Sequence, residues 1–185
     1  MRFIIIKRNF LDVEMLINVI KNLLGKNIKV MINENSVIII HEYPNNDDIR
    51  KMLISLSSDL MINLVSYVSS DIYTNKGEKE LEVISPIIDS NDIDYGIYTL
   101  KDLLVKKINI PNKRELLNYI LEATGIDEVF INDFCNNDLN VSKASKSMYI
   151  HRNTMIYKLD KLKEASGFDL RCFNDAYILY KLIKN

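Results

Sequence analysis

Residues 140–170 read Asn-Val-Ser-Lys-Ala-Ser-Lys-Ser-Met-Tyr-Ile-His-Arg-Asn-Thr-Met-Ile-Tyr-Lys-Leu-Asp-Lys-Leu-Lys-Glu-Ala-Ser-Gly-Phe-Asp-Leu, and the spacing of apolar positions predicts two helices joined by a tight turn. Asn140 or Ser142 offers an oxygen to the free amides at the start of the first helix. Val141, Ser145 and Met148 follow at spacings of four and three, which puts them on one face. Tyr149 and Ile150 interrupt the pattern. A second helix starts near His151 with Met155, Leu159 and Leu162 as its apolar stripe, and Gly167 stands just past its end, where a left-handed cap residue is wanted.

A short helix, a turn of about three residues and a longer helix make a helix-turn-helix outline. In such a unit the first residues of the second helix reach the major groove of DNA. Here they are His151, Arg152, Asn153 and Thr154, followed by Tyr157 and Lys158, and none is acidic. From Val141 to Ala165 the basic residues are Lys143, Lys146, Arg152, Lys158, Lys161 and Lys163, against only Asp160 and Glu164, in a chain of net charge −1. A local basic face on a near-neutral protein suits phosphate contact at one surface better than a general attraction. Across residues 113–185 the balance is thinner, with 11 basic and 10 acidic residues.

The run Ile150 to Leu159, with Gly167, Asp169 and Leu170 at their distances, resembles the C-terminal DNA-binding domain of the PucR/CdaR family of bacterial transcriptional regulators. The resemblance covers residues 112–185 and extends weakly over the rest. Ser145 stands where the family usually has Ala, which keeps a small residue for close helix packing. The start of the second helix is also similar to that of the Fis nucleoid protein. The resemblance implies double-stranded DNA as partner, with His151, Arg152, Thr154, Tyr157 and Lys158 as contacts; Asn153, from the helix-turn-helix outline, and Lys143, from the first helix, are added to the expected set. Ile156 is expected to face outward where the family has Arg or Lys.

Each of these residues also has a plainer reading. His151 suits a helix cap as well as a phosphate or base contact, and no second ligand stands at metal spacing, so no metal site is expected. Arg152 suits a bidentate contact to guanine or a phosphate better than a solvated charge. Thr154 can cap its own helix, and Tyr157 can pack in a core. Lys158, Lys161 and Lys163 point in different directions, so at most two touch one duplex. His41 reads as structural. Asp92 and Asp94 are a loop pair with no basic partner in view, and no catalytic residue is expected. Cys135 and Cys172 read as buried free thiols in a cytosolic protein.

The rest of the chain reads as a different kind of module. Phe3 to Ile6 is a continuous apolar run suited to a strand buried on both faces, and a core strand fits it better than a signal peptide. A helix over Leu11 to Leu24 carries Leu16, Val19, Ile20, Leu23 and Leu24 as its stripe and stops at Gly25. Ile28 to Ile32 and Val37 to His41 predict strands joined by a hairpin turn at Asn33-Glu34-Asn35-Ser36. A second helix opens at Pro44 to Asp47, with Ile49, Met52, Leu53 and Leu56 inward. A fourth strand is expected over Met61 to Val68, a third helix over Lys76 to Ile88, and a short last strand over Ile97 to Leu100.

Strand, helix, strand, strand, helix, strand is the ferredoxin-like split order. It resembles the degenerate GGDEF-like, cyclase-related module that precedes the DNA-binding domain in many CdaR-type regulators. In GGDEF cyclases the corresponding hairpin carries glycines and carboxylates for nucleotide and metal. Here it offers Glu34 alone, too few oxygens for a hard cation. The expectation is therefore an α+β chain: a ferredoxin-like domain over 1–110, then an all-α helix-turn-helix domain over 111–185 with about five helices. Helices are marked by Leu116, Leu117, Ile120 and Leu121, by Val129, Phe130 and Phe134, and by Ala176, Leu179, Leu182 and Ile183 near the end.

Hydrophobic content of 48% supports a real core, and no apolar run is long enough to span a membrane. The function expected is a cytoplasmic DNA-binding regulator acting as a homodimer, without cofactor and not an enzyme, its effector left open. The alternatives are an interaction module that no longer binds DNA and a nucleotide-handling relative of diguanylate cyclases.

Overall fold

The computed structural model describes residues 1–8, 12–25, 27–70, 76–106, 109–122 and 124–184. They form two compact units, Met1–Pro111 and Asn112–Asn185. In the first unit the elements run β1 (Arg2–Lys7), α1 (Val13–Leu24), β2 (Lys29–Ile32), β3 (Ser36–His41), α2 (Asn46–Asp59), β4 (Val65–Val68), α3 (Gly77–Ser90), β5 (Gly96–Tyr98) and α4 (Leu100–Val105). Leu11, the expected first residue of α1, lies outside the described residues.

The sheet order is β2-β3-β1-β4-β5. Its first four strands pair antiparallel, as the ferredoxin-like order requires, and β5 joins parallel to β4 through α3. Alternation along β1 explains its unbroken apolar run. Ile4 and Ile6 face a cluster with Leu16, Ile17 and Ile20 of α1 and Ile49, Leu53 and Leu56 of α2. Phe3 and Ile5 face the other way and are just as buried. On that side the Phe3 ring lies 6.0 Å from Tyr67, whose hydroxyl donates to Glu80 of α3 at 2.5 Å. The Glu80 carboxylate also accepts from the Ser70 amide at 2.8 Å. Gly77 starts α3 where the chain touches Met1: a Cβ there would sit 2.1 Å from the Met1 carbonyl oxygen.

Several expectations are corrected here. The fourth strand begins at Val65, because Met61 turns out of α2 with a left-handed φ of 52° and is 94% exposed. The last strand ends at Tyr98. Thr99 and Asp102 then form a reciprocal capping box, so Leu100 opens α4, a helix missed in the sequence. Leu23, assigned to the α1 stripe, is exposed. Asp94 does find a basic partner, Lys106, at 3.2 Å, and that carboxylate raises the lysine's pKa.

Among the described residues the second unit holds α5 (Lys113–Leu121), α6 (Glu128–Asn136), α7 (Val141–Ser147), α8 (Arg152–Ser166) and α9 (Phe173–Lys184). Its core is built from one stripe of each: Leu116 and Ile120, Ile131 and Phe134, Ala144, Met155 with Leu159 and Leu162, and Leu179. Val129, expected to mark α6, is exposed, and its neighbours Phe130 and Ile131 point inward instead. The thiols are less buried than expected: Cys135 is half-buried, which pushes its pKa up, and Cys172 is exposed.

Candidate nucleic-acid interface

Asn140 caps α7, its side-chain oxygen accepting from the amides of Ser142 and Lys143, both at 3.0 Å. The helix closes with two backbone bonds, Tyr149 N–H to the Lys146 carbonyl at 3.2 Å and Ile150 N–H to the Ser145 carbonyl at 3.0 Å. That is the Schellman pattern, whose left-handed position glycine usually fills. Here Tyr149 fills it, at φ 53°.

His151 then caps α8. Its Nδ1 accepts from the Asn153 amide at 3.2 Å. A ring nitrogen that accepts carries no proton, so the neutral imidazole bears its proton on Nε2. Capping and an outward hydrogen bond therefore use different nitrogens, and the two readings of His151 are compatible. Met155, Leu159, Leu162 and Ser166 face the core. Arg152, Asn153, Thr154 and Tyr157 are exposed. Asn153 and Tyr157, four apart, share the face opposite the buried stripe. Ile156, expected outward, is half-buried.

The basic residues divide into engaged and unengaged. Lys143 pairs with Asp138 at 2.6 Å, which holds that carboxyl below its usual range. Lys158 lies 5.4 Å from the Phe130 ring centroid, and Lys163 meets Asp169 at 3.3 Å. Arg152, Lys146 and Lys161 make no ion pair among the described residues.

Sequence reading missed Arg171, which binds Asp160 at 2.8 Å and Asp169 at 2.7 Å. It thereby offsets the acid at the middle of α8. The Arg171 hydrogen bond is the main cause that lowers the Asp169 pKa to about 2, against the opposing effect of burial. The same carboxylates raise the arginine's own pKa. The loop is held further by Asp175, whose carboxylate accepts from the Asp169 amide at 2.8 Å, and by the Ser166 hydroxyl, which accepts from the Phe168 amide at 3.2 Å. Gly167 turns the chain at φ 75° between them. The available signal was Arg171 itself, two residues after Asp169 in the stretch that follows the Gly167 stop.

A capped short helix, a left-handed turn, and a second helix with polar side chains outward from its first turn define a helix-turn-helix domain. Residues 131–183 match the family model described as the PucR C-terminal helix-turn-helix domain. The chain is 36% identical over 47 residues to the uncharacterized protein YxkF of Bacillus subtilis. It is 47% identical over 37 residues to the carbohydrate diacid regulator of Escherichia coli. Those stretches take in 25% and 20% of this chain, but only 16% and 10% of the relatives. The crystal structure of a regulator of polyketide synthase expression from Bifidobacterium adolescentis covers 98% of this chain and 77% of its own. Its TM-score is 0.51 at 14% identity, a likeness of fold. The resemblance read from Ile150 to Leu170 thus holds for the C-terminal unit, and the relatives with a stated role are regulators.

Among the described residues no helix is long and apolar enough to cross a membrane, and no group of His, Cys, Asp and Glu is placed to hold a metal.

Proposed function

We propose that this chain is a PucR/CdaR-type transcriptional regulator, and that the first two turns of α8 read the major groove of double-stranded DNA. The observation that carries the reading is the exposure of Arg152, Asn153 and Thr154 together on the first turn of a helix anchored by three fully buried side chains. Arg152 takes a guanine edge or a phosphate; His151, Asn153, Thr154 and Tyr157 flank it. Lys158 and Lys143 join by exchanging their present partners, Phe130 and Asp138, for phosphates. The Lys143–Asp138 pair is exposed and screened by water, so that exchange is cheap.

One helix-turn-helix reads only a few base pairs, so the regulator acts as a homodimer on half-sites roughly 34 Å apart. The first unit is the natural seat of self-association: β2 is an edge strand, and its Met31 and Ile32 are exposed. That unit is a non-catalytic GGDEF-like module in this reading. Its β2–β3 hairpin offers one acid, Glu34, and the Arg8 guanidinium binds the carbonyls of Asn33 and Glu34 at 3.0 and 3.2 Å. The protein works in the cytoplasm without a cofactor.

Binding of the full chain to duplex DNA, followed by fluorescence anisotropy against salt, tests the assignment. Arg152→Ala is expected to weaken binding by about 1–3 kcal/mol and, if the contact is to phosphate, to flatten the salt slope by about one unit, with the fold intact. Unchanged affinity in that variant would count directly against α8 as the reading helix.

A further inference from the structure

Tyr149 is the most exposed large hydrophobic side chain of the helix-turn-helix pair, at 97%, and it stands on a left-handed backbone where glycine would sit without strain. A fully solvated ring provides no packing to offset that strain, and its hydroxyl has no partner among the described residues. The other left-handed residues of this unit are each engaged or unstrained: Asp138 holds Lys143, Leu139 is half-buried, and Gly125 and Gly167 are glycines. The two backbone bonds that close α7 need a left-handed residue at this position but not an aromatic one, so the ring itself serves nothing among the described residues, which points to use by something outside them.

Its place specifies that use. Tyr149 lies two residues before the His151 cap and three before Arg152, at the mouth of the proposed DNA-reading helix. Tyr157, the other strongly exposed aromatic of the pair, stands beyond the first turn of α8 on the outer face. Along the chain the two tyrosines bracket the residues proposed to enter the groove.

We infer that Tyr149 is a positioning residue for DNA: its hydroxyl donates to a backbone phosphate at the rim of the major groove and sets how deep the start of α8 enters. This rests on the DNA-binding reading of α8. Being uncharged, the tyrosine adds affinity without releasing a counterion and carries no base information.

Random-sequence duplex at low salt, titrated with the full chain, tests it. Tyr149→Phe is expected to weaken binding about ten-fold, the scale of one hydrogen bond to a charged group, with the salt slope unchanged. Tyr149→Gly relieves the backbone, so it is expected to melt no lower than the parent while binding as weakly as the Phe variant. Parent-like affinity in both variants overturns the inference and leaves the function standing. A salt slope flattened as in Arg152→Ala also overturns it, since a neutral hydroxyl cannot do that. A parent chain that binds no duplex at all sinks the DNA reading and this inference with it.

Discussion

Asp169 shows how one ionised side chain holds the exit of α8. Its carboxyl titrates at about 2 because Arg171 donates to it, with help from Lys163. A carboxyl ordinarily titrates near about 4, so the folded protein binds the proton less readily than the unfolded chain does. The ionised form therefore stabilises the fold above about pH 4, and that contribution fades as pH falls towards 2. Discounted for solvent screening at a site only partly buried, that difference is worth on the order of 1 kcal/mol. Asp169→Asn is expected to melt lower than the parent at neutral pH by this amount, with the two stability curves converging as the pH approaches 2. A gap that stays constant with pH would mean that packing, not charge, anchors the loop.

At the scale of the element, α8 is a helix of two unlike faces. Its inner stripe is fully buried, and its outer first turn is bare. Rigid presentation of the outer residues depends on the inner ones, since a helix of this length is held mainly by tertiary packing. Leu159→Ala removes a buried branched side chain one turn below Met155 and is expected to cost about 2–5 kcal/mol in urea unfolding. Loss of DNA affinity should then track the unfolded fraction, and addition of a stabilising osmolyte should restore it. Affinity lost at full folding, or stability unaffected by the substitution, would contradict this division of labour between faces. The two ends of the helix-turn-helix also differ instructively. Gly167 closes α8 at no steric cost, whereas α7 is closed by a tyrosine.

At the scale of the whole chain, each unit carries its own core. The stripes of α5 to α9 meet one another, and the five strands are covered by their own helices. A fragment beginning at Asn112 is therefore expected to melt cooperatively on its own and to bind duplex DNA. With the first unit removed it should sediment as a monomer, while the full chain sediments as a dimer. A full chain that is monomeric at DNA-binding concentrations would remove the first unit from the account of affinity. A fragment that dimerises would move self-association to the helices.

What the sequence determined by itself is periodic and local. Alternation and apolar runs were enough for β1, β3 and the ferredoxin-like order, and spacings of three and four were enough for α7 and α8. The Gly167 stop followed from the residue type, while the α7 cap was narrowed to Asn140 or Ser142 and the structure chose Asn140. Tertiary structure decided whatever depends on a partner distant in the chain or on backbone dihedrals. Burial split Leu23 from Leu16 and Val129 from Phe130, whereas the Thr99–Asp102 box that opens α4 is local and simply went unread. Arg171 found two acids, Lys158 settled over Phe130, and Tyr149 proved to hold a left-handed turn. Side-chain periodicity reports which way a residue points along its own element. It carries no information on which charge of another element comes within reach, nor on which non-glycine residue the fold will force across to positive φ.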